Sequence, residues 1–229
     1  MELSDPTSEE GETLPPVPDG SVELRDEGGV LLARMMYEKG VLQGPTELFF
    51  PSGACAQRLM YESGVLSGAA LLYAEDGQVT HALTYANNTL HGPATFYKEG
   101  AKTLETTYVN GLQEGKAVYY TPQGTVLAEA FYVAGRLEGP FTSFNDTGSI
   151  VQTVAYVSGK KQGQSVTYYP GGALLEEAVY QNDVLEGEQR QYYDTGEVKG
   201  IDRFVAGKRQ QSVHFDKQGR VCSSENVAQ

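Results

Sequence analysis

The sequence predicts an all-β fold: an elongated array of antiparallel β-hairpins, with about eight units of 23–24 residues in a single-layer meander sheet. Two observations predict this fold. Glycines recur every 23 or 24 residues in two separate series, and one aromatic residue per unit keeps the same period. Helices are disfavoured, because a glycine or proline in a helix interior costs about 1 or about 3 kcal/mol. The glycine series are Gly29, Gly53, Gly77, Gly100, Gly124, Gly148, Gly172, Gly196, Gly219 and Gly44, Gly68, Gly92, Gly115, Gly139, Gly163, Gly187; the aromatic series is Tyr37, Tyr61, Tyr85, Tyr108, Tyr132, Tyr156, Tyr180, Phe204.

The fifth unit, residues 124–147, shows the pattern within one repeat. Two extended runs, Val126 to Tyr132 and Pro140 to Phe144, lie between glycine-bearing segments. The seven residues between the runs predict a longer, glycine-bearing loop rather than a two-residue hairpin turn. The closing segments, such as Pro122-Gln123-Gly124, are typical of turns in which glycine takes a positive φ.

Each first run alternates between two kinds of residue. The residue two before the repeat aromatic is apolar or small, as at Leu59 and Val154, and shares a face of the strand with the aromatic ring. The residue three before it is mostly polar, as at Arg58. Second runs often end in two adjacent aromatics, as at Tyr119 and Tyr120, which point to opposite faces, so one of each pair is expected in the core.

Charge and composition divide the chain into three segments. Residues 1–20 form an acidic, proline-rich leader with little to bury, which predicts disorder or a tether. Residues 1–28 carry a net charge of −8, against −5 for the remaining 201 residues. Residues 21–222 form the repeat domain and residues 223–229 a polar tail. The last unit has Gln211 near the position expected for glycine and a shortened loop, as is typical of a capping repeat.

The sequence contains no motif for catalysis or metal binding. Nucleophile-elbow, phosphate-loop and zinc-protease motifs are absent, and the three histidines lack ligand spacing. We therefore expect no enzyme activity, no cofactor and no metal. Because the acidic chain lacks Lys/Arg clusters, we expect it to bind neither nucleic acid nor anionic membranes directly. Cys55 and Cys222 lie near opposite ends of the array, which predicts no intramolecular disulfide.

The segment from Tyr180 to Gly196 follows the pattern Y-x-x-G-x-L-x-G-x-x-x-x-Y-Y-x-x-G, with Leu185, Gly187, Tyr192 and Tyr193 in place. This pattern resembles the MORN family, and more closely the bacterial MORN-variant repeat of YwqK-like antitoxins, over about residues 21–220. It departs from the eukaryotic MORN pattern in having no Trp and no regular Gly-x-Gly pair. The resemblance implies a bacterial antitoxin or immunity protein. Such a protein neutralises a cognate toxin by direct binding, and type VI secretion effectors such as phospholipases are among the toxins implied.

Two sets of residues are candidates for binding such a toxin. One is the turn residue before the second glycine, where the units differ most, and the other is formed by second-strand aromatics, which are favoured interface anchors. The first set is Gln43, Ser67, His91, Glu114, Glu138, Gln162 and Glu186, and the second is Phe96, Tyr119, Tyr168 and Tyr192.

The alternative function is a membrane- or envelope-associated scaffold that uses the acidic leader as a tether. In either case we expect the free chain to be a monomer. The compartment stays open: periplasmic if a signal or lipid anchor has been removed, and cytoplasmic otherwise.

Overall fold

The computed structural model describes residues 19–226, and the predicted all-β fold is confirmed. These residues form 22 strands in one open antiparallel sheet, without a helix. The leader predicted for residues 1–20 lies almost wholly outside the described residues. The strands are β1 (Gly20–Arg25), β2 (Leu31–Glu38), β3 (Val41–Phe49), β4 (Cys55–Glu62), β5 (Val65–Tyr73), β6 (Val79–Ala86), β7 (Thr89–Leu90), β8 (Gly92–Lys98), β9 (Ala101–Val109), β10 (Leu112–Gln113), β11 (Gly115–Tyr120), β12 (Val126–Val133), β13 (Arg136–Leu137), β14 (Gly139–Phe144), β15 (Ile150–Val157), β16 (Lys160–Tyr168), β17 (Leu174–Gln181), β18 (Val184–Leu185), β19 (Gly187–Tyr192), β20 (Val198–Val205), β21 (Lys208–Phe215) and β22 (Val221–Asn226).

Strands that follow one another in sequence pair with one another, so the sheet is a meander. In four places two short strands lie end to end and pair with the same preceding strand: β7 with β8, β10 with β11, β13 with β14 and β18 with β19. The described strands therefore occupy 18 positions, which at about 4.8 Å each extend roughly 85 Å along the sheet. Pairing of β22 with β21 continues to Asn226, beyond the boundary predicted at residue 222.

The first turn of each unit has two residues, which corrects the longer loop predicted above. In the fifth unit Val133 pairs directly with Arg136, and the turn residues Ala134 and Gly135 have φ values of 48° and 76°. Positive φ at both turn positions is the type I′ geometry, whose twist matches that of the flanking strands. Of the seven residues predicted as a loop, Val133, Arg136 and Leu137 are paired in strands, and Glu138 and Gly139 (φ 79°) form a β-bulge beyond which pairing resumes.

In every described unit except the one that joins β8 to β9, the second turn is a four-residue turn closed by glycine. In the fourth unit the Gly124 amide donates to the Thr121 carbonyl at 2.9 Å, and the Thr121 amide donates to the Thr125 carbonyl at 2.9 Å. The turn between β8 and β9 is shorter, because Lys98 pairs directly with Ala101. This shorter turn accounts for the 23-residue step that all three repeat series share; the first glycine series has another such step, from Gly196 to Gly219, in the shortened last unit.

The two faces of the sheet differ in burial. One face, here called the tyrosine face, carries the repeat aromatics Tyr37, Tyr61, Tyr85, Tyr108, Tyr132, Tyr156, Tyr180 and Phe204. Small side chains are buried beside these rings on the same face, among them Ala70, Ala94, Ala117 and Ala130. No large side chain in the described range is fully buried. A single-layer sheet has no opposing layer, so its stability depends on contacts between neighbouring units.

The opposite face, here called the ladder face, carries an unbroken row of cross-strand neighbours. The row begins Glu23–Arg34–Glu47–Arg58, and Arg34 lies 3.2 Å from Glu23 and 3.1 Å from Glu47. Farther along, Glu105 accepts hydrogen bonds from Lys102 at 2.7 Å and Tyr120 at 2.6 Å. Each such exposed ion pair contributes at most about 1 kcal/mol, so the row sets register more than it adds stability.

Candidate partner-binding face

The repeat aromatics form one line along the tyrosine face. One ring recurs at every second strand position, so adjacent rings are about 10 Å apart along the sheet. All eight rings are half-buried, because neighbouring strands cover their edges while no second layer of the described chain covers their outer surface. A row of partly exposed, well-supported aromatic rings is suited to binding a protein surface.

The centre of this face contains a hydroxyl pair. The Tyr119 and Tyr132 hydroxyls are hydrogen-bonded at 2.8 Å. Burial, and then the hydrogen bond to Tyr132, raise the pKa of the Tyr119 phenol far above its usual value of 10.0. Nearby, the Phe96 ring meets His81 edge to face, with centroids 5.2 Å apart. The central rings therefore hold one another in fixed positions.

The tyrosine face changes from apolar to polar along its length. In the N-terminal half, Leu59, Leu72 and Phe96 pack around the buried Leu83. In the C-terminal third, the equivalent surface carries amides and acids; Gln191, for example, donates to Glu176 at 3.3 Å. A partner surface that matches this face must therefore change in polarity along its own length.

The polar end of the face holds a buried serine beside a histidine. The Ser212 hydroxyl and His214 Nε2 are 3.2 Å apart, but Ser212 is only 2% exposed and so is closed to a substrate. One oxygen of Asp202 is buried without a hydrogen-bond partner in the described chain, and Arg209 approaches it to 3.9 Å. Within residues 19–226 no group of three His, Cys, Asp or Glu side chains could hold a metal ion.

The predicted turn carboxylates hold neighbouring units together. Glu114, Glu138 and Glu186 each reach the two-residue turn of the following unit and accept a hydrogen bond from its first backbone amide. Gln43 and Gln162 do the same with their amide oxygens. The distances range from 2.7 to 2.9 Å: Gln43 to Ser63, Glu114 to Ala134, Glu138 to Ser158, Gln162 to Asn182 and Glu186 to Ala206.

His91 differs from the other turn residues. Its side chain is exposed, and its backbone amide donates to the Thr84 carbonyl at 2.9 Å. The turn that precedes it is tied to the preceding unit by Asn88, whose side-chain oxygen accepts from the Leu66 amide at 2.8 Å. A partner-binding role for His91 and for the turn carboxylates stays a prediction.

The four predicted aromatics do not form one line. Phe96 and Tyr119 lie on the tyrosine face, whereas Tyr168 and Tyr192 lie on the ladder face. Tyr192 donates there to Glu177 at 2.7 Å. The first ring of an adjacent aromatic pair does not have the same position in every repeat: in some units it stands one residue later than in others. Counting residues from the preceding bulge glycine distinguishes them.

The repeat tyrosines are the binding candidates that the sequence reasoning left out. Their period marked them as core, but in a single-layer sheet a core ring keeps an open surface. A second feature that the sequence did not reveal lies at the edge of the sheet formed by the second, glycine-closed turns. There Tyr169 donates to the Tyr192 carbonyl and Tyr193 to the Phe215 carbonyl, both at 2.9 Å, and each links successive units.

The geometry and the repeat pattern together define a MORN-like repeat sheet. Residues 161–182 and 185–205, two adjacent repeats from β16 to β20, match the family described as MORN repeat variant. Comparison with curated protein sequences finds no match. No helix among residues 19–226 is long and apolar enough to cross a membrane.

Two solved structures are similar to this chain at low identity. A crystal structure of TcdB2-TccC3-TEV shares 16% identity over 92% of this chain and 12% of that chain, with a TM-score of 0.22. A crystal structure of TcdB2-TccC3-Cdc42 shares 14% identity over 90% of this chain and 14% of that chain, also with a TM-score of 0.22. The present chain thus spans a small fraction of either protein, and both likenesses are too remote to carry an argument.

Proposed function

We propose that this chain is an antitoxin or immunity protein that neutralises a cognate bacterial toxin by direct binding, with a type VI secretion effector such as a phospholipase as one toxin class. The tyrosine face supports the proposal: its eight repeat aromatic rings are regularly spaced, covered at their edges by neighbouring strands, and half-open. The action needs no catalytic step and no cofactor, because a bound protein that covers a toxin's active site blocks it sterically.

Tyrosine is well suited to this role. Its ring supplies a large contact area at low entropic cost, and its hydroxyl supplies a polar contact. The hydrogen bond between Tyr119 and Tyr132 fixes two rings before any partner arrives, so little ordering entropy is lost on binding. The change from apolar to polar along the face gives the surface a direction, which favours one partner and one orientation.

The test is co-expression with the toxin encoded by the neighbouring gene. We expect a co-purifying complex and protection of the cells. Y85A on the tyrosine face should weaken binding about 30-fold, the loss typical of an interface anchor. Y97A is the matched control, since Tyr97 is also half-buried in the same unit but lies on the ladder face. Circular dichroism confirms that both variants are folded.

Three outcomes count against the proposal or against its binding face. If co-expression gives neither a complex nor protection, the chain is not the antitoxin of that toxin. If the chain alone floats with phosphatidylglycerol vesicles, the membrane- or envelope-associated scaffold becomes the better account. Equal losses in Y85A and Y97A would place the binding surface elsewhere than on the tyrosine face.

A further inference from the structure

The chain enters the sheet beside the first ring of the tyrosine face. Gly20, the first residue of β1, lies directly opposite Tyr37 on β2. The residue before it, Asp19, accepts a hydrogen bond from the Gly40 amide of the first two-residue turn at 3.4 Å. These contacts hold the entry point at the edge of the sheet where the row of repeat aromatics begins. The chain that precedes Asp19 therefore has to leave the sheet next to Tyr37.

The segment just before this entry point is uncharged and rich in proline. Residues 14–18, which lie outside the described range, read Leu-Pro-Pro-Val-Pro. Proline fixes its own φ, and a residue that precedes a proline is confined to extended conformations. The sequence of residues 14–18 therefore favours a polyproline II helix, which has three residues per turn. Residues 1–12, in contrast, contain five acids and no base: Glu2, Asp5, Glu9, Glu10 and Glu12.

The nearest part of the tyrosine face matches residues 14–18 in charge. Across β2 to β5 this face carries Tyr37 and Tyr61 among uncharged residues such as Leu42, Leu59 and Leu66. An acidic segment that packed there would lose its hydration without gaining a cation, which is costly. Of the leader, the uncharged proline-rich segment is thus the part that suits this surface.

The spacing of the two rings also matches the segment. Tyr37 and Tyr61 lie two strand positions apart, which is about 9.6 Å along the sheet. One turn of a polyproline II helix advances about 9.3 Å. Pro18 stands two residues before Gly20, so it can reach Tyr37, and Pro15 then falls one turn farther, at Tyr61. Surfaces lined with aromatic rings are a recurring binding site for proline-rich segments.

We propose that residues 14–18 of this chain dock across Tyr37 and Tyr61 and cover the N-terminal end of the tyrosine face. The chain's own segment is the occupant, because its attachment next to Tyr37 gives it a high effective concentration there. One consequence rests on the proposed function: the docked segment competes with the toxin for this end of the face. The toxin has to displace the segment before it can contact both rings.

The first test measures how fast tetranitromethane nitrates individual tyrosines of the full chain, with mass spectrometry of the digested protein as the readout. P15A/P16A/P18A should raise the nitration rates of Tyr37 and Tyr61 about fivefold, because a segment docked about four-fifths of the time no longer shields them. The rate of Tyr156, farther along the same face, should not change.

P6A is the matched control, since Pro6 belongs to the leader but lies outside the docking segment. Its nitration rates should equal those of wild type. Equal rates in wild type and P15A/P16A/P18A, or the same rise in P6A, would overturn the proposal. Protection of Tyr37 and Tyr61 that increases with protein concentration would also overturn it, because the segment of a second copy would then be the occupant.

The second test measures the affinity of the full chain for the toxin. P15A/P16A/P18A should bind the toxin about fivefold more tightly than wild type, because the whole face is then open all the time, and P6A should bind as wild type does. Unchanged affinity in the triple variant would overturn the competition. Because the nitration test contains no toxin, failure to form any complex counts against the proposed function and leaves the nitration result standing.

Discussion

Glu114, Glu138 and Glu186 show how one residue position can carry a structural role that the sequence conceals. Each was predicted to contact a partner because it varies among units, and each accepts a backbone hydrogen bond from the next turn. Gln43 and Gln162 serve equally well at the same position. The fold therefore requires a side-chain oxygen that accepts a hydrogen bond at this position, and it does not require a negative charge. Because Gln serves as well as Glu, the negative charge of the glutamates is not needed for the fold and remains available for contact with a partner.

Glu138 allows a test of that distinction. E138A removes the acceptor of the Ser158 amide and should lower the free energy of unfolding by about 1 kcal/mol, whereas E138Q should stay near wild type. Urea unfolding measures both. Binding of the toxin by E138Q then reports on the charge alone. Equal destabilisation in E138A and E138Q would show that the carboxylate charge itself stabilises the turn.

Tyr119 gives a prediction that depends on pH. At pH 8, Y119F should lower the free energy of unfolding by about 1 kcal/mol, because the Tyr132 hydroxyl loses its partner. The pKa of Tyr119 is raised in the folded state, so its stabilising effect is complete below pH 10 and is lost as pH rises through the folded-state pKa. The difference in free energy of unfolding between wild type and Y119F should therefore become smaller above pH 10.

Urea unfolding of both proteins at pH 8 and pH 11 measures this change. Y97F is the control, since the Tyr97 hydroxyl makes no side-chain hydrogen bond in the described chain. We expect Y97F to match wild type at both values. A gap that is constant or widens with pH would contradict the raised pKa of Tyr119.

At the scale of the strand and turn, the sequence showed where each hairpin lies but not how it closes. The strand cores were predicted because apolar and polar residues alternate up to Tyr132. The two-residue turn was missed because Ala134 gives no sign of a left-handed backbone, and because the bulge at Gly139 carries a glycine of the kind expected in a loop. A bulge inserts residues without ending the strand, so counting residues between extended runs overestimates the loop.

Ala134 also provides a prediction at this scale. Alanine in the left-handed region is unfavourable by about 1 kcal/mol, and asparagine tolerates that region better. Asn110 occupies the same position of the preceding unit with φ 51°, close to the 48° of Ala134. A134N should therefore raise the urea concentration at the midpoint of unfolding, without changing how steeply the free energy of unfolding falls with urea concentration. A206N repeats the test three units away, where the gain should add to that of A134N. A lower midpoint in either variant would contradict this account.

Across the whole molecule, the repeat period predicted the architecture because every unit contacts only its neighbours. All units therefore share the same geometry, and the three repeat series were enough to predict it. The binding surfaces were harder to predict. Whether a second-strand ring lies on the tyrosine face depends on its distance in sequence from the bulge glycine: Tyr119 is four residues after Gly115, whereas Tyr168 is five residues after Gly163 and therefore points to the other face.

Nearest-neighbour architecture predicts that a whole unit can be removed without loss of the fold. Deleting residues 148–171 joins Thr147 to Gly172, which recreates a glycine-closed turn and keeps both faces in phase. We expect a cooperatively folded chain whose urea slope falls by roughly one eighth, because that share of the buried surface is lost. Small-angle scattering should show a sheet shorter by about 10 Å, two strand spacings.

Deleting only residues 160–171 is the control, since removing one strand position reverses the direction of every later strand and puts turns on the wrong edges. A folded control, or an unfolded whole-unit deletion, would show that long-range contacts and not neighbouring units hold the array together.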